Sequence, residues 1–195
     1  MKNVVKNTLL FSIILVFLIP ASANAYTTFS GHKMSSGIGN YGKSTKFYYV
    51  DSSASGLTTK INNAFDRWIY SSKYAGILTP TSYRKTTVKS SSTIDIYQVT
   101  SFKEAGVYGK NYSYVNSTNI NPQKQNWYWS KIEISKQMIN NYPQYLQTTI
   151  SHEIGHAFGL NHTSKQLMDA GVNKAYDLGI QYPRKDEYNG INYLY

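Results

Sequence analysis

The chain has no cysteine, only ten acidic residues against twenty basic ones, and a single long apolar run. The first absence excludes disulfides, so the core must form without covalent cross-links. The shortage of carboxylates leaves a formal charge of +10 and few acidic clusters, so calcium is not supported. A basic balance suits anionic cell-wall polymers, acidic substrates or a negative membrane surface. No Lys/Arg block or nucleic-acid motif accompanies it, which argues against a nucleic-acid partner. The apolar run, residues 9–19 broken only by Ser12, is too short to span a bilayer comfortably. Lys2 and Lys6 precede it, and Pro20 and the small-x-small triplet Ala23-Asn24-Ala25 follow it, as in a secretory signal peptide. Residues 1–25 are therefore expected to be a signal peptide and residues 26–195 one domain. The remaining 170 residues are enough for a real core and carry a charge of +8. The expected product is secreted, not stably inserted in the membrane after cleavage, and monomeric. A cysteine-free exported chain fits a bacterial source better than an animal one.

Histidine is also scarce, yet three of the four histidines fall in one stretch, Ser151-His152-Glu153-Ile154-Gly155-His156-Ala157-Phe158-Gly159-Leu160-Asn161-His162. On a helix His152 and His156 lie one turn apart and face the same way, so their imidazoles can hold one Zn²⁺. Glu153 sits about 100° further round, within reach of a water at that metal. Gly159 can adopt the left-handed backbone that stops the helix and brings His162 back as a third ligand. Three protein ligands leave a fourth position for water, which separates a catalytic zinc from a structural one. The fourth histidine, His32, lies outside the motif and is read as idle.

The remaining patterns describe the scaffold. Residues 26–45 are polar and glycine-rich and read as an irregular segment. Residues 46–50 are aromatic and β-branched, a strand. Ile61, Phe65, Trp68 and Ile69 recur at helical spacing within residues 57–72 and mark a helix with one apolar face. Residues 86–88, 93–99, 108–115 and 127–134 read as strands, with Trp127, Tyr128 and Trp129 a candidate edge strand beside a peptide groove. Residues 144–158 form the helix that carries the histidines, with Pro143 in its first turn and Leu146, Ile150, Ile154 and Ala157 on the face opposite them.

These residues resemble the metzincin zinc endopeptidases, within them the matrixin-like branch. Met168, six residues after His162, is similar to the family's methionine turn and would form an apolar floor beneath the metal. The closing segment, residues 183–195, resembles the last helix of matrixins, and Gln181-Tyr182-Pro183 would then wall the primary specificity pocket. The resemblance is strong over residues 143–195 and weak elsewhere. It implies an α+β metzincin catalytic domain: a twisted mixed sheet packed with an N-terminal helix, the zinc-motif helix and a C-terminal helix. Ala170 stands where matrixins carry proline and where astacin-like and serralysin-like relatives carry a zinc-binding tyrosine. Without cysteine, and without aspartate between Tyr26 and Val50, the residues that block the metal in latent relatives are missing. With only His32 left over, a second, structural zinc is not supported.

The expected activity is peptide-bond hydrolysis by a minimal single-domain enzyme holding one catalytic zinc on His152, His156 and His162. Glu153 would serve as general base. No second electrophile is evident; Tyr176 and Tyr182 are candidates by residue type only. A polypeptide substrate is expected to bind extended against a strand edge. Two alternatives stay open: an exported module that binds surface polymers without cutting them, and a zinc hydrolase of cell-wall amides.

Overall fold

The computed structural model describes residues 26–195, so the signal-peptide reading of residues 1–25 lies outside the described residues. In chain order the elements are β1 (Thr27–Thr28), β2 (Lys46–Val50), α1 (Thr58–Ile69), α2 (Ser71–Ala75), β3 (Tyr83–Thr86), β4 (Ile94–Val99), β5 (Gly109–Val115) and β6 (Thr118–Ile120). They continue with β7 (Trp129–Ser135), α3 (Lys136–Asn141), α4 (Leu146–Ala157), β8 (Leu160–Asn161), α5 (Val172–Asp177) and α6 (Lys185–Leu194). Six strands form one mixed sheet in the order β3-β2-β4-β7-β5-β6, and β1 pairs with β8 in a separate two-stranded ladder. The first four sheet strands run parallel, while β5 is antiparallel to β7. This is the α+β architecture expected of a metzincin catalytic domain.

Strand alternation sorts the sheet into two faces. Tyr48, Ile94, Ile96, Ile132 and Ile134 point inward and are almost fully buried. From α1, Ile61, Phe65 and Trp68 meet them, with Phe65 stacked on Tyr48 at 3.8 Å between ring centroids. The helical periodicity of that segment thus reported a core face. α1 begins only after a turn of 3-10 helix over Ser52–Leu57, started by Asp51, whose carboxylate accepts the Ser53 amide.

Two indoles fasten α4 to this core. Trp68 Nε1 donates to the Ser151 carbonyl at 3.1 Å and Trp127 Nε1 to the Ala157 carbonyl at 3.3 Å. From Gln147 to Ala157 every residue of α4 is buried, so this helix has no solvent face at all. It reaches solvent only through the cleft into which its histidines point.

Four expectations need correction. The third strand is Tyr83–Thr86 rather than 86–88, and Val88 lies 53% exposed beyond it. Tyr83 is the residue whose burial fixes the register, and its aromatic side chain outweighs the β-branched pattern that follows it. The Trp127–Trp129 segment is not an edge: β7 lies between β4 and β5, and Trp127 is buried in the core. Residues 26–45 are not loose. Met34 and Ile38 are core residues, the backbone at Met34 bridges Trp127, and β1 pairs with Leu160–Asn161 between the second and third histidines. Short apolar anchors in a glycine-rich frame carry no periodicity, which is why the pattern concealed them. Lastly, Tyr182 lies over the Arg67 guanidinium on α1 rather than against the cleft.

Candidate metal centre

The site begins at the end of α4. After Phe158 the chain turns at Gly159, with φ of +107°, and a side chain there would meet the Leu194 methyl at 2.8 Å. The turn feeds β8, whose pairing with β1 holds His162 opposite the helix. As a result His152, His156 and His162 bring nitrogen atoms within 4.8 Å of one another. The Nε2 atoms of His156 and His162 are 3.1 Å apart, close to the ~3.3 Å expected of two imidazoles on one tetrahedral zinc.

Backbone carbonyls fix the rings. His152 donates its Nδ1–H to Leu167 O and His156 donates its own to Leu160 O, both at 2.8 Å. Each bond sets the tautomer and leaves Nε2 unprotonated toward the centre. Burial pushes the His152 pKa down to about 4 and holds His156 well below its ordinary value; it also lowers His162. All three are neutral at pH 7, the form that ligates a metal. Three converging neutral imidazoles, two of them with fixed tautomers, therefore fit zinc.

The strap that follows His162 reaches under the helix. Met168 is buried, and a Cβ on Gly155 would lie 2.5 Å from its sulfur, so the thioether occupies the space glycine leaves between the two helix histidines. Glu187 on α6 anchors this strap. One of its carboxylate oxygens accepts the Leu167 N–H at 2.9 Å and the other accepts the Arg184 N–H at 2.8 Å, which also caps the helix. The path from Glu187 through the Leu167 peptide to His152 is continuous.

Glu153 lies in the same cleft. Burial raises its pKa to about 8, opposed by the Asn111 backbone N–H that it accepts. Its carboxylate packs against Gly109, where a Cβ would meet Glu153 Cγ at 2.9 Å. The cleft, of about 450 Å³, runs from Phe29 past the histidines to Val172, with Tyr108, Gly109 and Asn111 along one rim. Of that rim, β6 covers only Ser113–Val115, so residues 109–112 present a strand edge to the cleft. Phe29 closes the other end, its ring 5.7 Å from that of His156.

Sequence reasoning missed Phe29, Tyr108 and Asn111, and read Glu187 only as part of the acidic pair that opens the closing helix. Only Gly109 carried a readable signal, because glycine inside a strand often marks a close approach. Of the remaining candidates, Tyr176 packs edge-on against Tyr145, while neither it nor Tyr182 lines the cleft. His32 donates its Nδ1–H to the Phe29 carbonyl and does not join the cluster.

A mixed sheet, a buried helix bearing two histidines, a third on the return strand and a glutamate between them define a metallopeptidase of the zincin class. More narrowly, residues 49–163 match the model for metallo-peptidase family M12B, reprolysin-like, and the chain belongs to that family. Peptidases of this family use zinc and act on polypeptides. No curated protein matches the chain.

Proposed function

We propose that the protein is a secreted zinc endopeptidase in which Glu153 is the general base and His152, His156 and His162 hold a single catalytic ion. One observation carries this reading: the Glu153 carboxylate shares a closed-backed cleft with three neutral imidazoles, against an open strand edge. Zinc, when bound, supplies Lewis-acid polarisation of the scissile carbonyl and acidifies the attacking water. Glu153 accepts the proton of that water and passes it to the leaving amine. The Asn111 N–H fixes the carboxylate, and the bare Cα of Gly109 lets a substrate backbone approach it. The open edge at residues 109–112 would take substrate as an added antiparallel or parallel strand, away from its ends, which favours internal cleavage.

The family match ends at Thr163, ahead of Met168 and α6. The matrixin-like character thus rests on Met168, buried beneath Gly155, and on Asp186-Glu187 at the start of α6. Residues 1–25 would direct export, and among the described residues no helix is long and apolar enough to cross a membrane. The reading is a minimal bacterial enzyme with residues 26–195 as its catalytic domain.

Mass-spectrometric mapping of cuts in a denatured protein tests the reading. Internal cuts by wild type, abolished in Glu153→Gln of unchanged zinc content, are expected. Trimming from chain ends only would contradict it.

A further inference from the structure

A second cleft, of about 590 Å³, lies on the opposite face of the sheet and is lined by Lys89, Ser90, Ser92, Asp95 and Trp129. Asp95 alternates with the inward Ile94 and Ile96 on β4, so it faces away from α4 and the histidines. No lining residue is shared with the catalytic cleft.

Both walls are rigid. The Trp129 indole is stacked on Tyr114 at 4.2 Å with 10° between the planes, and its N–H donates to the Asn116 carbonyl at 2.7 Å. One face of the ring is therefore occupied and its polar edge satisfied, and the residue lines the cleft. Opposite stands a hydrogen-bonded turn, with the Ser91 and Ser92 amides donating to Val88 and Lys89 carbonyls. The floor is Asp95, only 5% exposed, to which the Ser92 hydroxyl donates. Asp95 has no opposite charge within salt-bridge distance among the described residues. Lys89 rides at the rim over the Tyr97 ring, 5.3 Å from its centroid.

A buried carboxylate without an ion-pair partner is costly unless it has a use. An indole face beside a carboxylate alone would suit an organic cation, but the Lys89 ammonium at the rim opposes one. A flat apolar wall flanked by an acceptor, an ammonium donor and two hydroxyls fits a ring with one C–H face and a girdle of hydroxyls. We propose that this cleft binds a neutral pyranose unit of a glycan, stacked on Trp129, with its hydroxyls donating to Asp95 and accepting from Lys89. It is a binding site separate from the metal centre and does not rest on the peptidase reading. It would hold the protein to a polysaccharide surface or to a glycan carried by a protein.

Trp68 and Trp127 are fully buried, so Trp129 is the tryptophan that a ligand at this cleft would perturb. Titration of the purified protein with cellotetraose and with chitotetraose, followed by tryptophan emission and by calorimetry, tests the site. A saturable change with at least one saccharide, with a Kd of about 1 mM or tighter, is expected. Asp95→Asn and Lys89→Ala should each weaken binding by about tenfold, and Trp129→Phe should weaken it and remove the emission change, with casein cleavage unaltered in all three. No saturable binding by either saccharide up to ~10 mM, binding indifferent to all three substitutions, or saturation by choline instead would overturn the proposal. Retention on insoluble chitin or β-1,4-glucan, compared with faster cleavage of a glycoprotein than of its deglycosylated form, then assigns the source of the sugar.

Discussion

Glu153 and Gly155 show how much of the site depends on single atoms. Holding the Glu153 pKa near 8 has an energetic consequence in the metal-free protein. Between its ordinary value of about 4.5 and 8, the folded state binds a proton that the unfolded state has lost. Stability therefore falls as pH rises through that window and stays low above it. Glu153→Gln removes this cost, so in chelator the variant should match wild type near pH 4 and exceed it by a few kcal/mol at pH 9. Urea unfolding across pH reads this directly; a difference independent of pH would show that the carboxyl is not desolvated. Gly155 gives a second test with an unusual sign. Glycine to alanine inside a helix ordinarily gains about 1 kcal/mol. Here the new methyl would meet Met168 Sδ at 2.5 Å and the Trp68 ring at 3.3 Å. Gly155→Ala should instead cost about 1–3 kcal/mol in thermal or urea unfolding.

At the scale of elements, α4 and α6 are coupled through the strap that carries Met168. Glu187 is almost fully buried, and its two oxygens serve two different backbone N–H groups. Glu187→Gln keeps the volume but turns one acceptor into a donor facing an N–H, at a cost of about 1–3 kcal/mol. Because the Leu167 carbonyl orients His152, zinc affinity by chelator competition should fall about 10–100-fold with the fold retained. Unchanged affinity would mean that the strap does not position the histidine. The histidine helix, α1 and the inward isoleucines were legible in the sequence, because each follows a period set by its own backbone. The open edge at residues 109–112 was not. Edge status depends on where β6 stops pairing, which is a property of the neighbour and leaves no mark on the strand. The aromatic run at residues 127–129 misled for the same reason, since Trp127 is held inside by Met34 and α4 rather than by its own alternation.

For the whole molecule, the candidate site residues could be picked out because five residues of three types fall in one short stretch, whereas their partners come from both ends of the described chain. Phe29 and β1 enter from the start, and Glu187 and Leu194 from the end. The metal should therefore stabilise the whole fold. Chelation is expected to lower the melting temperature by on the order of 10 °C, restored by added zinc, and a melting curve blind to chelator would place the metal outside the folding unit. The central claim is zinc-dependent proteolysis with Glu153 as base. Its most direct test is cleavage of casein by wild type and Glu153→Ala side by side, with metal content measured on both. About one zinc in each, cleavage by wild type, and a rate lower by at least about 100-fold in the variant are expected. Equal cleavage by the two proteins, at equal zinc, would contradict it.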